Sequence, residues 1–277
     1  MSSKFQTLQR ILPGCEAGDR AAWEAFLARY TPVVYALVDF YLPGRAREAR
    51  AALWADALRS LSANHCEWLR GFDHQAEREF LVDLRAFFLE TEAPALRPSQ
   101  DTAQVPVPTL ESVDALLKGL PLVQKEIVFF KLAGYSDATL ERILLLPVAA
   151  IRKALEHVEN HYGAVLDREG DSCSWPAAWL EVLHRARATR REDCPVRRVL
   201  IRILDGQTTG YEKSPTEEHM AHCLHCLESW VALREVNYLR RVTAPLPSAD
   251  VKGFLSSLPM ESPTSTSPPL FKRLFSR

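Results

Sequence analysis

Four residues of this chain carry metal-binding side chains at spacings that can converge: Cys194, His219, Cys223 and Cys226. Thiolate and imidazole donors suit a borderline-soft ion that takes four ligands tetrahedrally. A Cys3His set fills all four positions, so such a centre holds structure and leaves no place for a substrate. A Cys-x2-Cys pair with a spaced His and Cys is a zinc arrangement, and zinc is the expected cofactor.

The elements that must position these ligands can be read locally. Ser214-Pro215-Thr216-Glu217 combines a capping Ser, a Pro at the first helical position and a Glu near the start, which predicts a helix beginning here and carrying His219. Two courses are then open. If the helix runs on, at about 100° per residue His219, Cys223 and Cys226 share one face. If it stops near Ala221, Cys223 and Cys226 open the next helix, where unpaired backbone N–H groups favour thiolates. Cys194 precedes an apolar-faced helix over 195–204, which Asp205-Gly206 should end, and folding that helix back brings Cys194 to the cluster. His222 and His225 are spare and expected at the surface, although His222 could replace His219.

Cys194, Leu204-Asp205-Gly206 and His219-x3-Cys223-x2-Cys226 together resemble the zinc-binding anti-sigma domain of bacteria, a small helical module that clasps a sigma factor. The resemblance covers about 192–241 and implies that Cys194, His219, Cys223 and Cys226 are the zinc ligands. This chain has Leu224 where that family often has Pro.

The 277-residue chain has room for a sizeable core or for two to three small domains. Its 47% hydrophobic and 25% charged residues are ordinary for a globular protein, and a net charge of −1 gives no general pull toward nucleic acid. Six cysteines, at 15, 66, 173, 194, 223 and 226, form no dense disulfide pattern. There is no apolar leader at Met1-Ser2-Ser3-Lys4-Phe5 and no stretch long enough to span a bilayer. The expectation is a cytoplasmic protein without a membrane segment.

Strand signals are scarce, and the fold class expected is all-α. Trp23, Phe26, Leu27 and Tyr30, then Val34, Leu37, Val38 and Tyr41, form a helical stripe broken or bent near Pro32, with further helices over about 46–61 and 75–90. Pro, Ser, Gln and Thr concentrate in a linker over 94–108 and in a disordered tail over 243–277. These divide the chain into a helical domain (1–93), a second domain (109–166), a connecting helix (167–191) and the zinc-binding segment (192–242).

The string from Ala17 to Tyr35 resembles the opening of region two of extracytoplasmic-function sigma factors, which docks on RNA polymerase and melts the promoter. Two stretches depart from that pattern. Ala49–Asp56 stands in place of the polar polymerase-docking stretch, and Arg85–Glu92 in place of the basic strand-contacting end. The segment from Leu120 has a short helix over 136–144, a turn at Leu145 and a longer helix over 147–162, the outline of a helix-turn-helix. It is similar to region four of the same sigma factors. That likeness implies DNA contact through Arg152 and Lys153 on the second helix, although Glu156 and Glu159 replace later basic positions. Six Lys/Arg stand against seven Asp/Glu over 109–162, which opposes duplex binding.

The combined resemblance implies a regulator of transcription initiation, a sigma-like body with a fused zinc-binding anti-sigma module packed on it, whose partners would be RNA polymerase core and promoter DNA. The other expectation is a non-DNA-binding interaction or anti-sigma adaptor with a degenerate sigma-like half, responsive to oxidation of Cys223 or Cys226. Neither a His-Glu-x-x-His pair nor a phosphate-cradling Gly loop occurs, so no enzyme is expected.

Overall fold

Apolar residues recurring at three and four build thirteen helices and no strand among the residues described in the computed structural model, 7–41, 46–70, 76–92, 109–162 and 175–258. In order these are α1 (Leu8–Glu16), α2 (Arg20–Tyr41), α3 (Arg47–Arg70), α4 (Glu77–Glu92), α5 (Leu110–Leu117), α6 (Leu122–Leu132), α7 (Asp137–Leu144), α8 (Val148–Tyr162), α9 (Trp175–Ala188), α10 (Arg197–Leu204), α11 (Gly210–Ala221), α12 (Leu224–Val242) and α13 (Ser248–Ser257). The fold is all-α. The expected linker over 94–108 and the last part of the tail, 259–277, lie outside the described residues.

Two compact units result, one from residues 1–31, 58–73 and 245–277, the other from 32–57 and 74–244. In the first, Leu8, Ile11, Leu12 and Cys15 of α1 are buried. The Trp23 indole donates to the Cys15 carbonyl at 3.1 Å, and Trp23, Phe26 and Tyr30 meet edge to face at 5.4 and 5.0 Å.

Of the break or bend expected near Pro32, the break does not occur, for α2 runs through it as one helix. Proline has no N–H to give the carbonyl four residues earlier, that of Ala28. The amide of Leu246 donates to that oxygen at 2.9 Å instead, so the helix continues without a stranded acceptor. The expected disorder of 243–277 is likewise corrected for its first part. α13 forms there, with Val251, Phe254, Leu255 and Leu258 buried. Four apolar side chains at helical spacing outweigh the Pro and Ser around them.

The second unit is built on α12. Leu227, Trp230, Val231, Leu233, Val236 and Leu239 are buried along it, and so are Glu228, Ser229 and Glu235. Helices α4, α6, α7, α9, α10 and α11 all pack on it. The segment expected to form a small helical module thus supplies the central helix of this unit.

Two buried carboxylates require buried cations. Arg85 of α4 donates through Nε to Glu235 and through Nη1 to Glu228 at 2.9 Å, and its Nη2 meets the Tyr41 hydroxyl at 2.7 Å. The Tyr135 hydroxyl donates to the other Glu235 oxygen, and Arg187 of α9 reaches Glu228 at 3.2 Å. Burial opposes the charge on Arg85, but Glu235, Tyr41 and Glu228 outweigh it and keep the guanidinium protonated.

Helix ends follow the local chemistry. Gly134 and Gly206 take φ of 87° and 68° just past α6 and α10. There the amides of Tyr135 and Gln207 bond back to Phe130 and Arg202 at 3.0 and 2.8 Å, closing both helices as Schellman motifs. α7 starts at the Ser136 side chain and ends at Leu145, which holds φ 58° and is 75% exposed. A left-handed leucine is strained there and buries little in return.

Leu145→Gly should therefore raise stability by roughly 1 kcal/mol in urea unfolding. Arg85→Met should lower it by about 3–5 kcal/mol, because two carboxylates stay buried without their main counter-charge.

Candidate metal centre

The residues between Arg191 and Cys194 form a turn that aims the first ligand. The Cys194 amide donates to the Arg191 carbonyl at 3.2 Å, and the Arg191 amide donates to Cys194 Sγ at 3.3 Å. α10 then runs away from Cys194 and is fixed to α4 by Arg197–Asp83 at 2.6 Å and Arg78–Asp205 at 2.5 Å.

The second ligand comes from α11. That helix begins at Gly210, after Thr209, a turn earlier than the expected start at Ser214. Pro215 consequently sits inside it and leaves the Tyr211 carbonyl without a helical partner. The helix opening is solvated, with Tyr211 itself 95% exposed, so water can take that acceptor. Of the two courses open in the sequence, the structure takes the second. α11 stops at Ala221, His222 ends it, and Cys223 becomes the residue before α12. Lys125 of α6 holds this corner by donating from Nζ to the Ala221 carbonyl at 2.5 Å, where the C-terminal end of a helix favours a cation.

Cys194, His219, Cys223 and Cys226 come together, their ligand atoms all within 4.8 Å of one another. Cys194 and Cys223 lie 3.7 Å apart sulfur to sulfur, far beyond a disulfide bond. A tetrahedral ion with Zn–S near 2.3 Å needs neighbouring sulfurs about 3.8 Å apart. The three cysteines are buried. His219 Nε2 is a buried polar atom without a hydrogen-bond partner, while Nδ1 faces Asp193 Oδ2 at 3.5 Å. An orphaned nitrogen beside three sulfurs, with a carboxylate behind the other nitrogen, is the arrangement of a metal-ligating histidine.

The cluster can hold a metal ion, and thiol chemistry shows what the ion would relieve. Hydrogen bonding from Cys226, opposed by burial and aided by Cys194, pushes the Cys223 thiol down to about 4. The same hydrogen bond, with burial, drives Cys226 well above the usual thiol range. Without a cation these sulfurs share protons, whereas a divalent ion takes all of them as thiolates.

The spare histidines sit outside the cluster. His222 Nδ1 lies 2.9 Å from the Glu218 carbonyl and His225 Nδ1 2.9 Å from that of Arg187. His222 does not replace His219. Arg152 and Lys153 are brought neither to this centre nor to each other's service. They lie exposed on α8 beside Glu156, and Arg152 bonds Asp137 of α7 at 3.1 Å. Lys131 also bonds Asp137 at 3.0 Å; burial raises that carboxyl, but the two cations outweigh it and hold it below its ordinary range. Asp193 and Lys125 were not signalled by the motif, since one lies beside a ligand and the other is distant in sequence.

No protein-family model, curated protein or solved structure matches the chain. Among the described residues, no helix is long and apolar enough to cross a membrane.

Metal analysis of the purified chain should give about one ion per chain, lost in Cys226→Ser and kept in His222→Ala and His225→Ala. Loss in either histidine variant would reassign the ligand set.

Proposed function

We propose that this protein is a regulator of transcription initiation, a sigma-factor-like helical body with a zinc-binding anti-sigma-like segment folded into it. The observation that carries the reading is the Cys3His cluster at the start of α12, a helix packed against α4 and α6. Those two helices belong to the segments that resemble sigma regions two and four. The short α7, the turn at Leu145 and α8 support a helix-turn-helix. Zinc is the ion that suits three thiolates and an imidazole. It would supply folding free energy and no catalysis, since the ligand set is closed. A reducing compartment such as the cytoplasm keeps such thiolates available.

A second reading is favoured by one observation: Arg85, a basic residue of the sigma-like segments, is buried among carboxylates of the same chain and is not presented to a nucleic acid. On that reading the protein is an interaction module or anti-sigma adaptor that does not bind DNA, and its thiolates are the group that oxidation would alter.

Co-purification with bacterial RNA polymerase core, followed by a low-salt gel shift on promoter DNA, separates the two. The first reading expects polymerase association that changes when zinc is stripped. Association with another protein and no DNA retardation in either metal state would establish the second.

A further inference from the structure

We infer that metal occupancy at the start of α12 governs the packing of the whole second unit, reaching helices that carry no ligand. The inference rests on reading the Cys3His cluster as a metal site and concerns what that site controls.

The first turn of any helix has amides without intrahelical partners. In α12 that turn has no cap of its own: Cys223, the residue before it, makes no capping side-chain bond and no acidic residue occupies the turn, while His225 ties it to α9 through the Arg187 carbonyl at 2.9 Å. Cys223 and Cys226 flank it, so a bound ion is its clamp. Two residues after Cys226 comes Glu228, which Arg85 of α4 reaches at 2.9 Å and Arg187 of α9 at 3.2 Å. Loosening the turn moves Glu228 and leaves a buried Arg85 with Glu235 as its remaining carboxylate, seven residues further along the same helix. From the other side, Lys125 of α6 holds the Ala221 carbonyl immediately before Cys223. The metal corner is therefore coupled to α4, α9 and α6 by buried charge, where an unpaired group is costly. Were the segment a detachable cap, its core-facing helix would not also be the core of its neighbours.

The test uses the full chain, loaded with zinc and kept reduced. Its metal content is measured, and it is then stripped with a chelator and followed by hydrogen exchange. We expect exchange in α4 and α6 to rise about tenfold or more on stripping and to return when zinc is restored. Glu228→Gln should keep the metal yet loosen α4. If zinc binds and leaves while faster exchange stays confined to 191–226, the inference fails and the metal site stands. If Glu228→Gln keeps the metal with α4 still protected, the proposed route through Arg85 fails. A chain that binds no zinc overturns both the site and the inference.

Discussion

A guanidinium buried away from water must be surrounded by negative charge, and Arg85 meets that requirement with two carboxylates from a single helix. Much else in the second unit follows. Glu228 and Glu235 can be buried only where α4 and α9 bring arginines, and the hydroxyls of Tyr41 and Tyr135 take up the acceptors and donors that remain. This network fixes α12 in register against its neighbours in a way that apolar contacts, which tolerate sliding, do not.

The metal corner belongs to the same arrangement. α11 and α12 are separated only by His222 and Cys223, and that tight corner places His219 on one helix end and Cys223 and Cys226 on the next helix start. Cys194 arrives from a turn held by its own sulfur and by the Arg191 amide. Three separate pieces of local geometry therefore point donors at one position. The carboxylate of Asp193 behind His219 indicates which imidazole nitrogen is offered.

Helix faces and the glycine stop after α10 were legible in the sequence because each depends on neighbours within a turn or two, and the four ligands because their residue types and spacing suit one ion. The start of α11 was misplaced, since Pro215 reads as a first-turn residue unless the exposed turn before it is also helical. α1 and α5 carry short apolar repeats, Leu8-Ile11-Leu12-Cys15 and Val113-Leu116-Leu117, that were passed over. The buried Glu228 and Glu235 were illegible for a stronger reason. On a helix, charge is read as the solvent face, and only the distant Arg85 and Arg187 make burial possible. What looked like a peripheral clasp was for this reason the middle of the unit.

The amide of Leu246 resting on the Ala28 carbonyl makes two remote parts of the sequence interdependent. Proline at position 32 creates a vacant acceptor, and the stretch after α12 fills it. Restoring an ordinary amide at 32 would set two donors competing for one oxygen, and shortening the chain before 246 would leave that oxygen with none. A mutation at one of these positions is consequently judged by what stands at the other, more than two hundred residues away.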